Sequence, residues 1–251
     1  MDQVYISKNR SGLSIGSYVV ITPLETEKVI EKPYFYNIKY IEPIKLEIIN
    51  KIMKIIDKIA DNENIIITGS FLDKGFNFND IDIILVGENK LNIKNIERVI
   101  ENKIGIKIHF ILLNNRALIK GLSTDPLYQM MLSKCISKKR FVYRVKHKID
   151  YKILDLHLLK SKMLIDNFDI LNGSEKYYLL RNMIAISLYL QNNKINKELV
   201  DNEIEQNFKG SIKEIRENML DKNKFLKKYK TIYKKIFNKI MKSAKNGSKQ
   251  K

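Results

Sequence analysis

The chain has 251 residues, of which 44% are apolar, and its 46 Lys and Arg against 28 Asp and Glu give a net charge of +18. A chain of this length and apolar content can bury a core, which excludes wholesale disorder, and no run reaches the roughly 18 apolar residues of a membrane span. Cys135 is the only cysteine, which excludes an internal disulfide and a cysteine-rich zinc site. Because Met1–Val4 carries neither the basic patch nor the apolar run of a secretory signal, we expect a cytoplasmic protein.

The first 43 residues are expected to form a small β element. Strand-forming residues occupy 4–7, 17–22 and 34–40, and Gly and Pro separate these stretches. After Pro43, apolar residues recur at helical spacing, which predicts an amphipathic helix from Lys45 to about residue 60.

The second predicted domain covers residues 44–145 and alternates strands with helices. β-branched runs bounded by turn residues indicate buried strands, and a Thr-Asp-Pro sequence indicates the start of a helix. After the helix that follows Pro43, the predicted elements are a strand at Ile65–Thr68, a strand at Asp80–Val86, a helix at Leu91–Asn102, a strand at Ile104–Leu113 and a helix at Leu127–Cys135.

The third predicted domain, residues 146–251, is all-helical. Its helices are expected at Ile149–Leu171, Ser174–Gln191 and Lys197–Phe208, then at a shorter segment opened by Gly210-Ser211, and finally at the lysine-rich C-terminal end.

The final helix carries much of the net charge. Twelve lysines and no acidic residue lie between Lys222 and Lys251, which leaves 18 − 12 = +6 for the other residues. Its apolar stripe of Tyr, Phe and Ile predicts packing on the helical domain, which is compatible with a lysine face that binds the phosphate backbone of RNA. An anionic membrane surface ranks last, because the stripe fits a protein core equally well.

One segment suggests chemistry. Asp80 and Asp82 are alternate residues of a predicted strand and therefore share one face, and no cationic residue within 79–86 can pair with them locally. Two neighbouring carboxylates repel unless a cation lies between them, and Mg²⁺ held by carboxylates and phosphate oxygens satisfies this requirement. Upstream, Gly69 allows close approach of a phosphate, and Ser70 offers a hydroxyl and an amide. Together these residues predict a site for a nucleoside triphosphate and its metal.

This pattern resembles the nucleotidyltransferase fold superfamily, which includes DNA polymerase β and the poly(A) polymerases. Gly69-Ser70 is followed after nine residues by Asp80-Ile81-Asp82, and Lys74-Gly75 and Asn79 stand where small members have a basic residue plus Gly and then Ser. The resemblance covers roughly residues 45–143. It implies an α+β fold, with a nucleotidyltransferase-type mixed sheet and flanking helices preceding the helical domain.

The resemblance also implies roles for individual residues. Gly69 and Ser70 would hold the β and γ phosphates, while Asp80 and Asp82 would bind Mg²⁺ or Mn²⁺. Lys74 would contact the triphosphate, with a solvated turn lysine as the alternative. An acceptor hydroxyl then attacks the α-phosphate and pyrophosphate leaves.

The sequence departs from the superfamily at His109. Members usually carry a third carboxylate on the next strand, and the matching place here holds this histidine. A neutral imidazole can act as a base or ligate a softer metal, but it cannot supply the missing negative charge. A half-buried structural histidine is the other interpretation of His109.

Two functional hypotheses follow. The first is a Mg²⁺-dependent transferase that moves a nucleoside monophosphate from an NTP to RNA, a protein or a small molecule. The second is a catalytically impaired nucleotide- or RNA-binding or regulatory module. His147 and His157 have no carboxylate or cysteine at ligand spacing and are expected to be structural, and Cys135 is expected to be a buried, inert thiol on a helix.

Overall fold

The computed structural model describes residues 32–87, 93–140 and 145–248. The chain divides into two compact units, Met1–Lys32 and Pro33–Lys251, and the described residues belong almost entirely to the second. The strands predicted at 4–7 and 17–22 lie outside the described residues.

A five-stranded mixed sheet confirms the α+β class. Its strand order is β1-β5-β2-β3-β4; β3 and β4 are parallel, and the other neighbouring pairs are antiparallel. The strands are β1 (Tyr34–Tyr36), β2 (Asn64–Thr68), β3 (Asp80–Val86), β4 (Lys107–Leu113) and β5 (Cys135–Ser137).

Helices cover both faces of the sheet because successive residues of the central strands point in opposite directions. Ile83 of β3 packs with α1 and α2, whereas its neighbour Ile84 packs with Leu118 of α3 and Leu132 at the end of α4. These helices are α1 (Pro43–Ile59), α2 (Ile93–Ile104), α3 (Asn115–Thr124) and α4 (Pro126–Leu132).

From Tyr151 onward the described chain is mainly helical, and its core also includes Met130 of α4. The apolar stripe of the last helix contributes Phe225, Tyr229 and Ile236 to this core, as its spacing predicts. Tyr189 connects the helical part to the end of α3, because its hydroxyl donates 2.8 Å to the carbonyl oxygen of Ser123. The helices are α5 (Tyr151–Asp166), α6 (Gly173–Tyr189), α7 (Lys197–Phe208), α8 (Ile212–Arg216) and α9 (Lys222–Ser248).

The largest differences from the sequence predictions lie between β4 and α5. Helix α3 was not predicted, although Asn114 caps it by accepting a hydrogen bond from the Ala117 amide. The helix predicted through Cys135 ends at Leu132, and Cys135 begins a three-residue strand that pairs with β1. The thiol is buried as expected, and burial raises its pKa to about 12, which makes it inert.

Smaller differences concern the ends of elements. The strand predicted at 34–40 ends at Tyr36 as β1. Strand β4 begins only at Lys107, because α2 continues to Ile104, and α5 is shorter at both ends than predicted. Among the described residues, no helix is both long and apolar enough to cross a membrane.

Candidate functional site

The turn after β2 places Gly69 against a carboxylate. Its backbone angles, φ 86° and ψ −166°, lie in a region that essentially only glycine adopts. Thr68 is paired with Asp82 across the antiparallel strands, so the next residue lies beside the Asp82 side chain. A Cβ at position 69 would overlap Oδ2 of Asp82 and lie 3.0 Å from its Cγ. The backbone conformation therefore favours glycine here, and the Asp82 carboxylate fills the space that a Cβ would need. The sequence-based expectation was close approach of a phosphate.

The two aspartates lie on the same face of β3, as predicted. Both are partly exposed, and the intervening Ile81 is buried. In the parallel pairing with β4, Asp82 is opposite His109, whose Nδ1 lies 3.0 Å from Asp82 Oδ1. A carboxylate only accepts hydrogen bonds, so this contact requires a proton on Nδ1 and leaves Nε2 as the basic nitrogen of a neutral ring. The His109 side chain is 61% exposed rather than half-buried.

A cavity of about 340 Å³ opens between this end of the sheet and the helical part. Gly69, Ser70, Asp82 and His109 line one wall together with side chains of α4, and side chains from α6, α7 and α8 line the other. The volume is at the lower end of the range of small-molecule sites, which is about 300 to 1,000 Å³. The apolar part of the lining is formed by Ile111, Leu127, Met130 and Met131.

Among the described residues, four cationic side chains line this cavity, against two carboxylates from Asp73 and Asp82, so these charged groups sum to +2. The four are Lys134, Arg181, Lys197 and Arg216. Such an excess of positive charge favours an anionic ligand.

The two arginines are supported by aromatic rings. Arg181 lies 4.8 Å from the ring centre of Tyr178, and Arg216 lies 4.3 Å from that of Tyr177. Within the described part of the chain neither guanidinium forms an ion pair with a carboxylate. The buried Nε of Arg181 and the buried Oδ1 of Asn182 have no hydrogen-bond partner. These guanidinium groups therefore remain available for an anion.

The two lysines share one carboxylate. Lys134 Nζ lies 2.8 Å from Oδ1 of Asp73, and Lys197 Nζ lies 2.5 Å from Oδ2. Burial alone would raise the pKa of Asp73, but the two ammonium groups outweigh it and lower the pKa. Asp73 is therefore ionised and connects the sheet side of the cavity to the helical side.

A buried lysine fixes the backbone that carries Asp73. Lys45 Nζ donates 2.6 Å to the Asp73 carbonyl and 2.5 Å to that of Gly75, inside a cage of phenylalanine rings. Glu42 lies 3.1 Å from the same ammonium and accepts a hydrogen bond from the Gly75 amide. Hydrogen bonds from the Gly75 amide and from the backbone of Glu42 itself, and then from the ammonium, lower the pKa of Glu42 to about 2. Helix α1 thereby holds the loop between the glycine turn and β3.

Four of the six predicted site residues line the cavity: Gly69, Ser70, Asp82 and His109. Asp80 lies on the same strand face as Asp82 but is not part of the cavity lining. Lys74 is exposed and lines a separate open depression with Tyr40, Glu42 and Gly75.

The four cations of the cavity were not among the residues predicted from the sequence. A lysine or arginine in a basic chain is by default a solvated surface residue, so the lysines carry no usable signal. The arginines do carry a weak signal of function, because only seven arginines occur in the whole chain and two of them, Arg181 and Arg216, line the cavity.

The aspartates fit a magnesium ion better than a softer metal. Within the described ranges, no group of three or more His, Cys, Asp or Glu could hold a metal ion by itself. Asp80 and Asp82 offer two carboxylates, and Mg²⁺ commonly takes one or two carboxylates and completes its coordination with water and substrate phosphates.

The other two described histidines have structural surroundings. His157 Nε2 lies 3.0 Å from Asp125 Oδ2, a carboxylate partner 32 positions away that the spacing argument could not reveal. His147 stacks on Tyr189 with ring centres 3.9 Å apart, and burial lowers its pKa.

Comparison with known proteins identifies no relative: no protein-family model, curated protein or solved structure matches the chain. The motif and the chemistry of the cavity are therefore the features of this chain that bear on its function.

Proposed function

We propose that the protein is a Mg²⁺-dependent nucleotidyltransferase of the nucleotidyltransferase fold, which moves a nucleoside monophosphate from an NTP to a hydroxyl acceptor. The observation that carries this proposal is that Gly69-Ser70, Asp82, His109 and four cationic side chains line one and the same cavity. A nucleoside triphosphate matches these groups, because it is a polyanion that brings its own hard cation to a carboxylate.

In the proposed reaction, the acceptor oxygen attacks the α-phosphorus, the bond from the α-phosphorus to the bridging oxygen breaks, and pyrophosphate carries away the electron pair. Ser70 and the cationic wall hold the phosphates, which neutralises charge and aligns the chain for in-line attack. Asp80 and Asp82 would hold Mg²⁺, which would stabilise charge on the transferring phosphate.

His109 is the proposed acceptor of the hydroxyl proton. Its Nδ1–H is directed at Asp82, so the lone pair of Nε2 is available at an exposed position. In this arrangement the carboxylate fixes the tautomer and the orientation of the base. The histidine would thus accept the proton that a third carboxylate accepts in the superfamily. Because a neutral imidazole carries no negative charge, metal binding would depend on Asp80 and Asp82.

The transfer can be measured with each α-labelled NTP, Mg²⁺ or Mn²⁺, and total RNA or total protein as acceptor. We expect labelled product with the wild type and its loss with Asp80→Asn/Asp82→Asn. Asp61→Asn, which removes an exposed carboxylate outside the cavity, is the matched control. Labelling that the double variant leaves unchanged would refute the assignment.

We further propose RNA as the acceptor class, through the lysine face of α9. Lys228, Lys235 and Lys242 are seven residues apart, exposed, and without an ion pair in the described part of the chain. Seven-residue spacing puts them on one side of the helix, beside its buried stripe. Such a face binds phosphates with little sequence information.

Salt dependence tests the RNA proposal. Replacing the three lysines by Gln should reduce the slope of log K against log salt by about 2 for single-stranded RNA, because each lost phosphate contact removes about 0.7. A triple Gln variant at Lys51, Lys54 and Lys58 of α1 has the same net charge and should keep the wild-type slope. Equal slopes for all three proteins would remove the role proposed for α9.

A second candidate function is a nucleotide-binding module without transfer activity. His109 opposite Asp82, together with Asp80 outside the cavity lining, favours this candidate. It predicts saturable, cavity-dependent NTP binding without labelled product under any metal condition, so the labelling experiment distinguishes the two functions.

A further inference from the structure

We propose that Asp73 is a positioning residue that holds Lys134 and Lys197 as a polyphosphate subsite in the cavity wall. This inference rests on the proposed function, because the polyphosphate is that of the bound NTP. It assigns the phosphates to two lysines that no sequence motif indicates.

The two ammonium groups come from distant parts of the chain and meet at one carboxylate. Lys134 follows α4 on the sheet side, Lys197 is the first residue of α7, and each contacts a different oxygen of Asp73. Their side chains are 31% and 32% exposed, and both line the cavity. An ammonium has three donors, so each lysine keeps donors for a ligand after its contact with Asp73.

Asp73 is itself fixed on the side away from the lysines. Its amide donates 2.9 Å to the Ser70 carbonyl, and its own carbonyl accepts from the fully buried Lys45. These two hydrogen bonds fix the backbone of Asp73 relative to the turn at Ser70. Because both lysines contact the Asp73 carboxylate, their ammonium groups are positioned relative to the same turn.

The position of Lys197 supports an anionic ligand. A cation at the first position of a helix opposes the positive end of the helix dipole, and here the Asp73 carboxylate offsets this cost. Asp201 also interacts electrostatically with Lys197, but the four cations of the cavity wall still outnumber the carboxylates of Asp73, Asp82 and Asp201. A chain of phosphates facing Ser70 would neutralise this excess of positive charge. Lysine binds phosphate in this way as a point charge.

The test is binding of tripolyphosphate, a probe without base or ribose, by calorimetry in the absence of divalent cations. Lys134→Met and Lys197→Met should each weaken binding by about 10-fold, the loss of one partly exposed charge-assisted contact. Lys138→Met removes a lysine that is also ion-paired, with Asp57 outside the cavity, and should bind like the wild type.

Asp73→Asn gives the sharper result. If Asp73 were only a nearby negative charge, its removal would tighten binding of a polyanion. If it positions the lysines, the affinity falls about five-fold although the repulsive charge is gone, and Asp73→Glu recovers part of the loss. In a Lys134→Met/Lys197→Met background, Asp73→Asn should then cause no further weakening.

The inference is overturned if the Asp73→Asn variant binds tripolyphosphate as tightly as the wild type or more tightly. It is also overturned if Asp73→Asn weakens binding as much in the Lys134→Met/Lys197→Met background as in the wild type, or if the single lysine variants bind normally. Lys197→Met, at a partly exposed helix start, keeps the test valid should Asp73→Asn not fold. If the variants bind tripolyphosphate as predicted but the wild type forms no labelled product, only the proposed transferase is refuted. If labelled product forms but the substitutions leave tripolyphosphate binding unchanged, only the subsite is refuted.

Discussion

Replacing Gly69 by alanine tests whether the turn and Asp82 depend on each other. The backbone conformation at Gly69 costs a non-glycine residue about 1–3 kcal/mol. In addition, the new Cβ would overlap Oδ2 of Asp82, so the carboxylate must move and its contact with His109 is lost. That contact is partly exposed and contributes about 1 kcal/mol. We therefore expect Gly69→Ala to lower the free energy of unfolding by about 3 kcal/mol.

Gly75 provides the matched control, because it also has a positive φ, of 83°, but a Cβ there would meet nothing within 4 Å. Gly75→Ala should cost about 1–2 kcal/mol, the conformational part alone. Urea denaturation of both variants, repeated in an Asp82→Ala background, separates the contact from the strain. The reasoning is refuted if Gly69→Ala costs no more than Gly75→Ala, or if its excess cost persists once Asp82 is alanine.

Three further predictions concern stability. Lys45→Met leaves Glu42 and two carbonyls without their ammonium and should lower the free energy of unfolding, measured by urea denaturation, by about 3 kcal/mol. Lys51→Met, at an exposed position, should stay within about 0.5 kcal/mol of the wild type. Similar values for the two variants would contradict the structural role of Lys45. Because the pKa of Glu42 is lowered from 4.5 to about 2, its ionised form stabilises the fold above about pH 5, and this contribution is lost as the pH falls toward 2. The melting temperatures of wild type and Glu42→Gln should therefore converge over that range, and a constant difference would argue against the lowered pKa. Tyr229→Phe removes the 2.7 Å hydrogen bond to the Ser161 carbonyl and should cost about 1 kcal/mol, so an unchanged unfolding midpoint would show that this bond contributes nothing.

Much of the fold could be predicted because its signals are local. The strand of Asp80–Val86 and the helix of Lys197–Phe208 have the predicted bounds, since alternation in the first and a cap with apolar spacing in the second are visible in a short window. β5 could not be predicted in this way. Three residues carry no periodicity, and they form a strand only because β1 and β2, distant in the chain, supply its hydrogen-bond partners.

The candidate site also has a part that local sequence reveals and a part that it does not. The glycine turn and Asp82 are close in the sequence and can be predicted together, whereas Lys134, Arg181 and Lys197 converge on the cavity from three separate parts of the chain. No spacing rule connects residues that meet only through tertiary packing. Lys74 illustrates the converse: it is close to the motif in sequence, yet it is exposed outside the cavity.

The measurement that tests the central claim most directly is transfer of label from an α-labelled NTP, compared between the wild type and Asp82→Asn in the presence of Mg²⁺. The proposed function predicts labelled product with the wild type and at least about a 100-fold lower rate with the variant, because Asp82 holds the metal at the transferring phosphate. Label transfer at the same rate in both proteins, or no transfer by the wild type with any NTP, acceptor or divalent metal, would contradict it.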